Sequence, residues 1–242
     1  MFEDLLQTLG LSAFSLKGFG PLLLQGTWMT VKLSVFSLAV SVLLGLLGAT
    51  AKLSSLPFLR IPAQIYTTLI RGVPDLVLML LIFYSLQIWL TGFTDFMEWD
   101  YIEIDPFSAG VITLGFIYGA YFTETFRGAI LAVPRGQLEA ATAYGLTRGQ
   151  RFRFVTFPQM MRFALPGINN NWCVMLKATA LVSIIGLADL VKAAQDAGKS
   201  TYQLFYFLVI AAFIYLLITS ASNFVLRRLE RRYSAGSREA VR

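Results

Sequence analysis

Polar and ionisable side chains stand inside the apolar runs of this 242-residue chain, and their types and spacing are what could do chemistry. Arg71 and Asp75 are four residues apart, with Thr68 three before the arginine. A continuous helix puts all three on one face. Pro74 removes a backbone hydrogen bond between them, which predicts a kink and a carbonyl freed towards a cavity. A charge at the centre of a bilayer is costly unless it is paired or hydrated. Arg71 and Asp75 therefore have two readings. They neutralise each other, with Arg71 alternatively snorkelling to headgroups, or they face a solute.

The segment GFIYGAYFTETFRGAI carries Tyr118, Tyr121 and Glu124 on one stripe, with Arg127 three residues past the glutamate as its alternative partner. Gly115 and Gly119, four apart, permit close helix contact. Further on, Asn169, Asn170 and Asn171 precede Lys177, Thr179 and Ser183. Three consecutive amides are expensive in lipid, so they face protein or water, and hydrogen bonding between helices competes with ligand contact for each. The candidate substrate-binding set is Asp75, Glu124, Tyr118, Tyr121, Arg71, Asn170, Thr179 and Ser183. Two carboxylates on separate helices predict an acidic intramembrane cavity, suited to a cationic or zwitterionic small solute rather than an anion.

Other chemistries are poorly supported. Histidine is absent, so the most usual general base is missing and a metal site is not expected. The single cysteine, Cys173, forms no intrachain disulfide. No Walker-type nucleotide loop is present, since TRGQRF has one glycine and the other glycines lie in apolar stretches. A membrane enzyme would have only Asp75 and Glu124 to work with. No catalytic residue is assigned.

The elements that position these residues are membrane helices. Of the chain, 56% is hydrophobic and 14% charged, against about 25% charged in soluble domains. The acidic start, Glu3 and Asp4, does not resemble a cleavable signal peptide. Continuous Leu, Ile and Phe-rich runs predict helices rather than alternating barrel strands. Five spans are expected, at about 21–51, 58–91, 106–133, 160–188 and 201–230. Acids without bases fill the loop of Asp95, Glu98, Asp100, Glu103 and Asp105. Lys52, Arg60, Arg127, Arg135, Arg148, Arg151, Arg153 and Arg162 fill the loops on the other side, and Arg227 to Arg242 the tail. By the positive-inside rule the N-terminus is periplasmic and the C-terminus cytoplasmic. A periplasmic segment 1–20, a permease domain 21–232 and a cytoplasmic tail 233–242 result. The net charge of +6 therefore marks membrane orientation, not nucleic-acid binding.

One cytoplasmic loop, 136–158, is more ordered in composition than a connector needs to be. Helix formers Glu139, Ala140 and Ala141 open it, Gly145 turns it, and Arg148 to Thr156 resumes a helix that Pro158 is expected to stop. EAATAYGLTRGQRFRFVTFPQ resembles the EAA loop of importer-type ABC permeases: EAA, three residues, glycine, then proline near the end. RGVPDLVLMLLIFY, YGAYFTETFRGAI and ALPGINNNWCVMLKATALVS are similar to the polar amino-acid branch, and within it to the histidine and lysine/arginine/ornithine uptake systems. The similarity runs from about Gly26 to Tyr233, in order. Many relatives carry glutamate where this chain has Thr68 and leucine where it has Asp75, so Asp75 is expected to read a substrate's positive charge.

The resemblance implies an all-α integral membrane protein with five transmembrane helices in the type I (MetI-like) importer permease fold. It implies a second homologous permease subunit, a heterodimer being expected, two cytoplasmic ATPase subunits and a periplasmic amino-acid-binding protein. ATP and Mg would be bound by the ATPase, with no cofactor in this chain and no hydrolysis by it. Glu139, Ala140, Ala141, Gly145 and Arg148 would couple the chain to that ATPase. The implied function is import of basic amino acids across the bacterial inner membrane by alternating access. Another polar amino acid or an opine as cargo is the alternative, with a channel or scaffold lacking an ATPase behind it.

Overall fold

The computed structural model describes residues 16–234, and every regular element among them is helical. Residues 1–15 and 235–242, which hold most of the expected outer segment and tail, lie outside the described residues. Helix α1 spans Gly20–Leu53, opens with a proline in its first turn and ends with Lys52 in its last. Next come α2 (Pro57–Gly72) and α3 (Asp75–Phe96).

The single helix expected over 58–91 is therefore two. Proline lacks an N–H and disfavours the helical region for the residue before it. Val73 is accordingly extended (φ −114°, ψ 142°), and Pro74 stands as the residue before α3. Pro74 does more than kink the chain, and Arg71 and Asp75 do not share a helix face.

Helix α4 (Pro106–Leu131) is capped by Asp105, whose side chain accepts from the Ser108 amide at 2.9 Å. That bond holds the exposed Asp105 carboxyl below its ordinary range. Its contribution is thus present at neutral pH and lost only as pH falls through the lowered value. Then come α5 (Arg135–Ala143) and α6 (Arg148–Arg151), the latter opened by a Thr147–Gln150 capping box. A π-helical turn (Phe152–Thr156) leads straight into α7 (Phe157–Ala178).

Pro158 does not stop this run. The Phe157 amide bonds back five residues to the Phe152 carbonyl, a wider turn that changes register just before the proline, whose missing N–H then falls in the first turn of α7. After Ala178 the helix tightens to a 3₁₀ turn, Thr179–Ile185, closed by Gly186 at φ +100°. Helices α8 (Leu190–Thr201) and α9 (Leu204–Ser234) complete the described chain.

By length and composition, α1, α3 and Leu204–Tyr233 of α9 can each cross a membrane. The run Arg148–Ile185 with α8, bent by 56°, makes up to four. Helix α4 is not among them, its apolar content being diluted by glycine, serine, threonine and tyrosine. Its buried positions include Gly110, Thr113, Gly115, Tyr118, Gly119, Ala120 and Thr123, small or polar residues that face other helices instead of lipid.

Helix α4 is the hub, packing most extensively on α1 and next on α7. A Cβ built at Gly45 of α1 would stand 2.5 Å from Phe122 Cβ, and one at Gly115 of α4 would stand 2.5 Å from Val40 Cγ1. At Gly119 the clash is with Leu44 Cβ at 2.9 Å, and at Gly167 of α7 it is with Thr125 Cγ2 at 2.6 Å. The core formed around this seam includes Leu33, Ile117, Phe122, Met175 and Leu176. Leu23, Leu190, Ala194 and Phe207 form a second cluster joining α1, α8 and α9.

The seam has a measurable consequence. Gly115→Leu should destabilise the protein by about 1–3 kcal/mol through overpacking, lowering the thermal midpoint of the purified protein in detergent. Gly128→Ala, whose added Cβ would meet no other part of the structure within 4 Å, should not lower it. Equal midpoints for Gly115→Leu and the unaltered chain would contradict the seam.

Candidate functional site

The break at Val73–Pro74 sets out two charges at two helix ends. Arg71 lies in the last turn of α2 and Asp75 in the first turn of α3. A helix C-terminus favours a cation and an N-terminus an anion, so each charge sits at the end that stabilises it. No ion pair joins them among the described residues. Two tyrosines of α4 stand between them instead. Tyr118 and Tyr121 stack at 5.5 Å between centroids, with their planes 28° apart. The Tyr118 hydroxyl donates to Asp75 Oδ2 at 2.8 Å, while the Arg71 guanidinium lies 5.6 Å from the Tyr121 ring centroid. Buried Tyr118 thereby fixes Asp75, and half-buried Tyr121 gives exposed Arg71 a cation–π face.

Glu124 belongs to a separate cluster. It accepts from Lys52 at the end of α1 and from Arg127 Nε and Nη2, each at 3.0 Å. Lys52 also donates to Thr67 Oγ1 of α2 at 2.8 Å, so one lysine ties three helices together. By sequence Lys52 is only a loop charge. Its long stem lets it turn back from the last turn of α1 to a partner 72 residues away.

The expected acidic cavity is consequently not what forms. An opening of about 470 Å³ is lined by Lys52, Gln64, Thr67, Thr68, Arg71, Gly72, Tyr121 and Glu124. Lys52 and Arg71 outweigh the one carboxylate, and Asp75 is not in the lining.

Asn170, Thr179 and Ser183 do not line this opening. Asn170 is exposed, and it is buried Asn171 that bonds, donating to Thr125 Oγ1 of α4 at 3.0 Å. Thr179 donates to the Leu176 carbonyl at 2.7 Å and Ser183 to the Ala180 carbonyl at 2.8 Å. Both hydroxyls serve their own turn of helix. Fully buried Asp189 caps α8 by accepting from the Lys192 amide at 2.9 Å and leaves Oδ2 unpartnered among the described residues.

The stretch 136–158 presents most of its residues outward. Glu139, Ala140 and Arg148 are exposed, whereas Ala141 is buried. Gly145 adopts φ +76°, the left-handed conformation that glycine reaches without a Cβ clash. Arg151 Nη1 donates to Thr142 Oγ1 at 2.9 Å, bracing α5 against the start of the long run into α7. Tyr144, 86% exposed, stands at the tip. Among the described residues no group of three His, Cys, Asp or Glu could hold a metal ion.

Residues 41–235 match the family model described as binding-protein-dependent transport system inner membrane component. The histidine/lysine/arginine/ornithine transport system permease protein HisQ of Salmonella typhimurium is 61% identical over 225 residues, covering 93% of this chain and 99% of that protein. The octopine transport system permease protein OccQ of Rhizobium meliloti is 38% identical over 234 residues, 96% of this chain and 99% of that one. Among solved structures, an amino acid ABC transporter crystallised with histidines superimposes with a TM-score of 0.74 at 38% identity, over 88% of this chain and 94% of that chain.

The three-helix cluster can be tested by a double-mutant cycle of Lys52→Met and Glu124→Gln. The side chains are only 13% and 19% exposed, so thermal unfolding should reveal a coupling of about 1–2 kcal/mol. Strict additivity would show that the pair contributes nothing to the fold.

Proposed function

The chain belongs to the family of binding-protein-dependent transport system inner membrane components, and from that premise we propose that it carries basic amino acids inward through the site around Tyr118 and Tyr121. Histidine, lysine, arginine and ornithine are the substrates in the name of one relative, and histidines accompany a structural neighbour. The observation that carries the proposal is the opposed pair of charges across stacked rings. An amino acid with a cationic side chain offers a carboxylate to Arg71 and a cation to Asp75, with the half-buried Tyr121 ring between them. An opine is the second reading, favoured by the octopine relative; its additional carboxylate would call on Lys52 as well.

Five spans are proposed: α1, the broken pair α2–α3, α4, α7 with its 3₁₀ turn, and α9. The N-terminus is then periplasmic and the C-terminus cytoplasmic. The supporting observations are the acid-only loop Asp95–Asp105 on one side and the arginine-bearing stretches on the other. Partner subunits complete the transporter: a second homologous permease chain in a heterodimer, two cytoplasmic ATPases and a periplasmic binding protein. ATP and Mg bind the ATPases, where hydrolysis takes place.

In this chain the lever is α5 with its Gly145 turn. Glu139, Ala140 and Arg148 meet the ATPase, and the Arg151–Thr142 bond passes movement into α7. Nucleotide then biases the helices between inward- and outward-open arrangements.

Asp75→Asn tests the assignment, because asparagine keeps the shape and an acceptor for Tyr118 while losing the charge. ATP hydrolysis by the reconstituted transporter, stimulated by arginine-loaded binding protein, should fall about tenfold, in line with the loss of one charge-assisted hydrogen bond. ATPase co-purification should be unchanged. Normal stimulation by cationic substrates would sink the assignment.

A further inference from the structure

The last turns of α9 carry a feature that lies outside the proposed transport site. Ser220, Asn223, Phe224, Arg227, Arg228 and Arg231 recur at spacings of three and four and line a groove of about 450 Å³. From Leu204 to Leu226 the helix has no charge, so Arg227 is the first charged residue after the apolar span. The groove thus sits at the boundary between hydrocarbon and headgroups.

Its polar groups are almost all donors. Three guanidiniums converge there, and none has an ion-pair partner among the described residues. The Asn223 carbonyl oxygen accepts from the Cys173 thiol at 3.2 Å, which leaves the amide nitrogen available to donate. Arg228 lies 4.8 Å from the Phe224 ring centroid, a stacking that limits where its guanidinium can point. Glu230 does not line the groove.

A second observation continues the same stripe away from the charges. Phe213, Leu217 and Phe224 are 59%, 53% and 61% exposed and stand above the arginines on one helix face. Donors at the interface, continued by an apolar ridge into the membrane, match a molecule with a phosphate head and acyl chains.

We propose that this stripe is a binding site for an anionic phospholipid, its phosphodiester held by Arg227, Arg228 and Arg231 and its chains laid along Phe213 and Leu217. Guanidiniums bind a phosphate through paired, directional hydrogen bonds, which ammonium groups of equal charge do not reproduce. The site is therefore distinct from the diffuse attraction that any basic helix end exerts on an anionic surface.

Native mass spectrometry of the purified transporter with its partner subunits tests this, using phosphatidylglycerol and phosphatidylcholine as probes. The unaltered transporter should retain phosphatidylglycerol in clear preference to phosphatidylcholine. R227Q/R228Q/R231Q should lower that retention about tenfold or more, and R227K/R228K/R231K should restore only part of it. Retention by the glutamine variant equal to the unaltered protein overturns the proposal. So does full restoration by lysine, which would mean diffuse charge alone. Displacement of the lipid by millimolar inorganic phosphate would make the ligand a free anion. Equal retention of the two lipids by the unaltered transporter also refutes it, whether or not the variants assemble.

Discussion

The contact between α1 and α4 is the constraint on which the rest depends. Helices normally pack about 8–10 Å apart, and the absent side chains at Gly45, Gly115 and Gly119 let Phe122, Val40 and Leu44 fill space that a Cβ would occupy. In a membrane there is little hydrophobic gain from joining two apolar helices, so van der Waals contact along such a seam supplies much of the association. Because α4 is clasped from both sides, its tyrosines are presented at a fixed height and angle. Tyr118 can be fully buried and still reach Asp75 only because its backbone is held this close to its neighbours.

Against this fixed wall, the Pro74 break supplies the polarity. An intact helix would let Arg71 and Asp75 cancel on one face. The extended Val73 separates them into two helix ends, each of the sign its charge prefers, and the tyrosine stack occupies the space between. Lys52, Glu124 and Arg127 do the complementary task, tying α1, α2 and α4 without leaving a free carboxylate. One cluster ties helices together through a lysine, and the other sets its two charges on the two rings of the tyrosine stack.

What the sequence discloses depends on the range of each interaction. Gly115 and Gly119 are legible as a close-packing face because their spacing is local, and Tyr118, Tyr121 and Glu124 as a stripe for the same reason. Lys52 is not legible as the partner of Glu124, since nothing near either residue in the chain marks a contact 72 residues long. Pro74 signals a disturbance, but whether proline kinks or severs a helix depends on what packs against the freed backbone. Pro158 misleads in the opposite sense, because a π-helical turn can absorb a proline when the register shifts just before it. Asn170, Thr179 and Ser183 draw attention by type, yet a serine or threonine in a helix can satisfy itself on its own backbone, and two of these three do.

The central claim is that opposed charges across the tyrosine pair read the two ends of an amino acid. A structure of the assembled transporter with bound lysine tests it most directly. The account predicts the ligand carboxylate within hydrogen-bonding distance of Arg71 and its ammonium groups towards Asp75, with the aliphatic stem along the Tyr121 ring. Lysine bound in the reverse sense, or at a position touching neither Arg71 nor Asp75, would contradict it.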